Sequence, residues 1–408
     1  MPLAAWKRTA AWLLIPVLLG ACARQPSASG VKITPTPSVT PTVCPEEEDP
    51  IESLMAEMTL REKVGQLFIV RPDALDPAQD QEQIDAEKAD GVQQLTDPMR
   101  EMLARYPVGG ICQFGKNIAG PEQITRFNAD LQAASALPLF LAVDEEGGPV
   151  ARLANTPAFA LPQYESAAAV GAVGNPDNVC RMGQQIGNYL QQYGFNMDFA
   201  PVADVATNPA NTVIGDRAFS EDAGTAAAMA GAMARGPRQE GILPVCKHFP
   251  GHGDTAQDSH TGLAYTYRTK EEMQACEWLP FVSVVQEADP CAVMVGHIAA
   301  PSLDESGQPA SLSFTVVTEL LRQELLPDTE VLVVTDSLAM GAITEQYTPG
   351  EACVQALLAG CDLLLMPDGL AEAFEAVVNA VEQGIIPEAR LDESVARILR
   401  YKQQYAGL

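Results

Sequence analysis

The sequence predicts an α/β protein built as a single (β/α)8 TIM-like barrel, with no second catalytic domain, and three observations predict it. Eight short apolar runs recur along the chain, at 67–70, 110–113, 139–143, 196–200, 243–247, 292–296, 331–335 and 363–366. These runs mostly do not alternate, and Gly, Pro or Asp bounds them, as expected for strands buried on both faces of a parallel sheet. Amphipathic stretches separate them, so strand and helix take turns over about 350 residues, within the range of that fold. An open doubly wound sheet is the runner-up, but no Gly-x-Gly-x-x-Gly turn follows an early strand.

Residues 1–21 read as a signal peptide rather than as part of the fold. Lys7 and Arg8 precede a short apolar core at 10–19, which is too short to span a bilayer. It ends in Leu19-Gly20-Ala21-Cys22, which resembles a bacterial lipoprotein processing site. That resemblance implies cleavage before Cys22, lipidation of Cys22, and an extracytoplasmic protein anchored to the cell membrane by its acyl chains. Residues 22–50 are rich in Pro, Thr, Ser and Glu without hydrophobic period, and read as an extended tether. The barrel is expected over 51–408.

Helix signals fall between the apolar runs. Pro121 opens a stretch with Ile124, Phe127 and Leu131 on one face, and Met182, Ile186 and Leu190 mark the next. An alanine-rich helix follows Asp222 and ends near Gly241. Ser313 is placed to cap the helix carrying Leu320, Leu321 and Leu325, and Gly360 and Gly384 read as C-terminal stops. The polar segment 73–100 has little apolar period and reads as a long insertion near the mouth or base of the barrel.

The net charge of −28 excludes a nucleic-acid partner, since it would repel phosphates. An apolar fraction of 47% is enough for a large core. The cysteines show no CxxC pair or metal-ligand spacing, and Cys112, Cys180, Cys246, Cys276, Cys291, Cys353 and Cys361 read as free thiols.

In a parallel barrel the carboxyl ends of the strands converge on one face, where active sites are built. Asp144-Glu145-Glu146-Gly147-Gly148 follows the third run, with Arg152 beyond, and Arg217 lies in the long loop after the fourth. Lys247 ends the fifth and His248 follows it, His297 follows the sixth, and Asp336-Ser337 the seventh. Three of the four histidines, His248, His252 and His260, fall in the stretch after the fifth run, together with Asp254 and Asp258. The opposite strand ends show no comparable set.

Five blocks carry a resemblance: Thr59-Leu60-Arg61-Glu62-Lys63-Val64-Gly65-Gln66-Leu67-Phe68, Asp144-x-Glu146-Gly147-Gly148-x-Val150-x-Arg152, Phe199-Ala200-Pro201-Val202, the run Lys247 to Thr255 with Asp258-Ser259-His260, and Thr335-Asp336-Ser337. Together and in this order they resemble glycoside hydrolase family 3, in its β-N-acetylglucosaminidase branch, from about Ile51 to Leu408. The resemblance implies a retaining exo-glycosidase acting on terminal β-linked N-acetylglucosamine of peptidoglycan fragments or related glycans. It implies Asp336 as nucleophile and His260 as acid/base, polarised by Asp258. Asp144, Arg152, Arg217, Lys247 and His248 would then bind sugar hydroxyls. An imidazole paired with a carboxylate is a coherent acid/base near neutral pH. No metal and no cofactor are implied.

The chain departs from the family where Pro149 stands after Glu-Gly-Gly, a position commonly held by Arg, so a charge near the sugar rim is expected to be missing. His252 and His297 are expected to brace loops or pack, and Asp254 to satisfy backbone amides of its own turn. Two other functions compete. His248, His252, Asp254, Asp258 and His260 could form a metal cage of a barrel hydrolase, although Lys247 beside them would oppose a cation. A non-catalytic carbohydrate-binding lipoprotein is the other, but aromatic content is only 6%, where sugar platforms usually display aromatics.

Overall fold

The structure, a computed structural model, describes residues 49–256 and 262–408 apart from position 87. The expected signal peptide, Cys22 and most of the tether lie outside the described residues, as do Asp258 and His260.

Eight parallel strands close into a barrel: β1 (Phe68–Val70), β2 (Gly110–Gln113), β3 (Phe140–Val143), β4 (Met197–Asp198), β5 (Leu243–Phe249), β6 (Ala292–Val295), β7 (Leu332–Thr335) and β8 (Leu364–Leu365). Each pairs with its sequence neighbour, β1 pairs with β8, and a parallel bridge from Val334 to Leu363 completes the ring. All eight predicted runs are therefore strands. β4 and β8 are shorter than their apolar runs, yet the Phe199 N–H still donates to the Val143 carbonyl beyond the end of β4. The strand residues are buried throughout, which is why their sequences do not alternate.

The helices form where the signals lie. Thr59 and Glu62 make a reciprocal capping box at the start of Leu60–Gln66, just before β1. Pro121–Ala134, Pro176–Gln192 and Ala223–Gln239 bury their expected faces. Ser313 does cap Thr315–Leu325, accepting from the Val316 N–H at 3.1 Å, but that helix is wound with the wider π spacing. Gly360 ends Pro349–Ala359 in the left-handed conformation. All seven described cysteines are free, and only Cys276 is not fully buried.

The 73–100 insertion follows β1 and so belongs to the mouth. Asp73 organises it from within: fully buried, it accepts from the Val92 N–H at 3.0 Å and from Asn117 Nδ2 at 2.7 Å. Lys116 Nζ donates to the carbonyls of Gln83 and Ile84 at 2.9 and 2.8 Å. Polar groups from β1 and β2 exits thus replace the apolar period that the segment lacks.

The base of the barrel corrects one expectation. Asp362, just ahead of β8, is buried among Arg322, Arg390 and Arg397, a charge cluster comparable to that at the mouth. Its arginines come from the helices Thr315–Leu325 and Glu388–Tyr405 rather than from strand ends, so reading the strand ends alone misses it.

Candidate active site

At the carboxyl ends of the strands lies a cavity of about 330 Å³, lined among others by Asp144, Glu146, Arg152, Arg217, Lys247, His248, His252 and Asp336. Six of the eight site residues expected from sequence thus meet in one place. The other two, Asp258 and His260, lie outside the described residues.

The three consecutive acids after β3 have different fates. Residues 145–147 form a hairpin with Val150–Ala151, and successive side chains of extended backbone point to opposite faces. Asp144 and Glu146 face the cavity. Glu145 turns away to Tyr189 Oη at 2.8 Å and to the N–H groups of Leu153 and Ala154, both at 2.8 Å. The turn needs its glycines: Gly148 has φ +76°, and a Cβ there would meet Ser166 Cα at 2.8 Å. Pro149 is exposed in that turn, and the cavity is lined by Val150 instead.

Charges then alternate across the cavity floor. Arg152 approaches Asp144 at 3.7 Å, and Asp144 accepts from Lys247 Nζ at 2.6 Å. Lys247 also reaches Glu146 at 2.7 Å, and Glu146 is gripped by Arg217 through Nε and Nη2 at 2.9 and 2.8 Å. Burial pushes the Glu146 carboxyl up, but Lys247 and Arg217 outweigh it and hold its pKa at about 2. Asp144 is likewise held low by Lys247 and Arg152 against its burial. Lys247 and Arg217 are therefore fixed before any ligand arrives.

β5 positions the next pair. Its register against β6 shifts between Cys246 and Phe249, an irregularity of the kind that re-aims side chains beside active sites. The Lys247–His248 peptide there is cis, and both side chains line the cavity. His248 Nδ1 lies 2.8 Å from Asp204 Oδ2. That contact orients the ring, with Nδ1 as the nitrogen that donates to the carboxylate. Asp204 also accepts from the His252 N–H at 2.6 Å, and against burial its contacts with His248 and His252 hold its carboxyl below the ordinary value.

Asp336 follows β7. Its Oδ1 accepts from the Ser337 N–H at 2.7 Å, its one hydrogen bond among the described residues. Burial pushes its pKa up, but His248, His297, that N–H and Lys247 together hold it below the usual carboxylate range. His297 braces this strand exit, with Nδ1 at 2.8 Å from Ser311 Oγ and Nε2 at 2.8 Å from the Ser337 carbonyl. His252 has its Nδ1 at 2.8 Å from Thr255 Oγ1 and also borders the cavity.

Sequence reasoning missed four groups. Asp204 sits two residues beyond the quoted Phe199-Ala200-Pro201-Val202 block, and an acid inside an apolar run was the available signal. Glu146 lay inside a quoted block but received no role. Arg71 and Phe114, at the ends of β1 and β2, line the cavity, with the Arg71 guanidinium 4.2 Å from the ring centroid. Asp254 is a correction. Among the described residues it accepts not from its own turn but from Thr266 Oγ1 at 3.1 Å, and it pairs with Arg268 Nε at 3.2 Å, because Arg268 brings a cation back to it. Among the described residues no group of three His, Cys, Asp or Glu side chains is disposed to hold a metal ion.

The comparisons with known proteins agree with the fold. The model of the glycosyl hydrolase family 3 N terminal domain matches residues 59–401. Beta-hexosaminidase LpqI of Mycobacterium tuberculosis is 33% identical over 405 residues, 96% of this chain and 95% of the relative. Beta-hexosaminidase A of Pseudoalteromonas piscicida is 33% identical over 332 residues, but this chain spans only 55% of its length. Among solved structures, a family 3 beta-N-acetylglucosaminidase from Paenibacillus sp. FPU-7 superposes with TM-score 0.77 at 35% identity, over 86% of this chain and 63% of that one. The M. tuberculosis LpqI structure superposes with TM-score 0.74 at 31% identity, over 88% and 98%. With the barrel, the ordered motifs and a family match over most of its length, the chain belongs to glycosyl hydrolase family 3.

Proposed function

We propose that the chain is a retaining exo-β-N-acetylglucosaminidase that releases terminal β-linked N-acetylglucosamine from peptidoglycan fragments or related glycans. The observation that carries this reading is Asp336: a part-buried carboxylate held below the usual carboxylate range, bordering the cavity with one hydrogen bond among the described residues. Such a group is suited to attack an anomeric carbon and form a glycosyl-enzyme, which water then hydrolyses. His260, polarised by Asp258, donates the proton to the leaving oxygen and withdraws one from the water. Asp144 accepts from sugar hydroxyls, while Arg152, Arg217, Lys247 and His248 hold them in one orientation. A cavity of about 330 Å³ suits a single sugar unit and hence removal from a chain end. The names of the relatives support the N-acetylglucosamine preference. Glu146 sets the positions of Lys247 and Arg217.

The N-terminal pattern extends this reading to place and substrate source. Lipidation of Cys22 would hold the enzyme outside the cytoplasm at the membrane, beside the cell wall. Metabolic labelling with a fatty acid tests it, with Cys22→Ser abolishing the label. The function is tested with a chromogenic β-N-acetylglucosaminide: wild type turns it over, and Asp336→Asn loses about 10⁴-fold or more in kcat. Unchanged turnover in that variant removes the nucleophile assignment.

A further inference from the structure

Two of the cations at the cavity are fixed by their own side chains. Lys247 Nζ lies 2.6 Å from Asp144 and 2.7 Å from Glu146, and Arg217 grips Glu146 at 2.9 and 2.8 Å. Arg152 is different. Its guanidinium reaches Asp144 only at 3.7 Å, and its Nε is buried without a hydrogen-bond partner among the described residues. The Phe114 ring centroid, 5.2 Å from the guanidinium carbon, is a weak contact. The backbone is left to decide where Arg152 stands.

That backbone is held from behind by Glu145. The Arg152 N–H donates to the Asp144 carbonyl at 3.2 Å, and Thr156 Oγ1 donates to the Arg152 carbonyl at 2.8 Å. The next two N–H groups, of Leu153 and Ala154, donate to Oε2 and Oε1 of Glu145, both at 2.8 Å. Glu145 is fixed in its turn, with Tyr189 Oη donating to Oε1 at 2.8 Å and its own N–H donating to Asp198 Oδ1 at 2.9 Å. Glu145 and Asp198 are both fully buried. A donor therefore faces each oxygen of Glu145, and a glutamine there would set its NH2 against one of them. The residue between the two acids that line the cavity thus carries the turn from which Arg152 projects.

We infer that Glu145 is a positioning residue for sugar binding, acting through the 152–154 turn to set the donors of Arg152 against a substrate hydroxyl. The inference rests on the reading of Arg152 as a sugar-binding residue. Glu145 itself turns away from the cavity and touches no sugar. A shift of about an ångström in the turn would move an otherwise loosely held guanidinium off its acceptor.

The test measures kcat/KM on a chromogenic β-N-acetylglucosaminide and competitive inhibition by free N-acetylglucosamine, with the thermal midpoint followed alongside. Glu145→Gln and Arg152→Met are each expected to lower kcat/KM about tenfold and to weaken the inhibition by a similar factor, and the double variant to be no worse than Arg152→Met alone. A residue that only supports the fold would lower the thermal midpoint and leave the inhibition constant of the folded enzyme where it was. An unchanged inhibition constant in Glu145→Gln therefore overturns the inference, as do losses that multiply in the double variant. If Glu145→Gln does not fold, Tyr189→Phe takes its place, removing one donor to the same carboxylate while keeping the ring. A loss of about threefold that disappears in the Arg152→Met background then supports the inference, and no loss overturns it. If Arg152→Met binds the sugar as tightly as wild type, the reading of Arg152 falls and the inference with it. If Arg152→Met is impaired and Glu145→Gln is not, the inference alone falls.

Discussion

Asp336 and Asp362 are carboxylates beside adjoining strands of one barrel, at opposite ends, the first part-buried and the second buried, and both have their pKa lowered. At the base, Asp362 is saturated. Oδ1 accepts from Ser394 Oγ and Arg397 Nη1, both at 2.7 Å, and Oδ2 from Arg322 Nη2 at 2.6 Å and the Val333 N–H at 3.0 Å. At the mouth, Asp336 has one hydrogen bond among the described residues and borders a cavity. A low pKa therefore does not separate a structural acid from a reactive one. Unfilled lone pairs beside empty space do. The base cluster locks the helices Thr315–Leu325 and Glu388–Tyr405 onto the barrel, whereas at the mouth Asp336 keeps acceptor capacity beside the cavity.

The sharpest way to break this comparison is to neutralise each acid in turn. Asp336→Asn should leave the thermal midpoint nearly unchanged while kcat falls about 10⁴-fold or more. Asp362→Ala should do the reverse, leaving the buried Arg397 and the part-buried Arg322 and Arg390 without their shared acceptor and costing about 3–5 kcal/mol in chemical denaturation. The fraction that remains folded should keep its kcat. If Asp362→Ala were stable but inactive, the division of roles between the two ends would be wrong.

Glu146 tests whether the mouth network also contributes to stability. Its pKa lies at about 2 in the fold against 4.5 for a free glutamate. Its contribution is complete above the unfolded value and is lost as pH falls from 4.5 toward 2. Glu146→Gln should therefore lose stability at neutral pH and flatten the acid-unfolding curve in that window. Lys247 and Arg217 would be released from their positions, with kcat/KM down about 10- to 100-fold.

The smallest effect is expected at Lys402, at the base. It is fully buried, 2.6 Å from Gln66 Oε1 and 5.4 Å from the Phe140 ring centroid, and burial pulls its pKa from 10.5 to about 7. Above 10.5 both folded and unfolded chains are neutral there. As pH falls from 10.5 to about 7, the unfolded chain takes up a proton that the fold refuses, so stability declines through that interval. Lys402→Met should raise the thermal midpoint at pH 7, with a gain that shrinks toward pH 10.5 and no effect on kcat. A destabilised variant would show that the amine's bond to Gln66 outweighs its desolvation.

The sequence made the strands legible because burial on both faces leaves an apolar run with no competing signal. It made Asp336, Lys247 and His248 legible because a strand exit is a fixed address in a parallel barrel. Asp204 was not legible, since its partner His248 lies on a different strand and nothing in the spacing joins them. Asp254 was misread because a local turn is the nearest explanation for an aspartate between Gly253 and Thr255, and the cation that claims it comes from position 268. The base cluster was invisible for the same reason, being assembled from two helices and a strand.

The hairpin after β3 has an evolutionary consequence. Because Asp144 and Glu146 reach the cavity only by sharing one side of an extended backbone, their separation matters as much as their identity. Deleting a single residue there would rotate Glu145 into the pocket and turn a binding acid out of it. Lineages of this barrel should therefore drift by exchange of amino acids in this stretch, while insertions and deletions are purged.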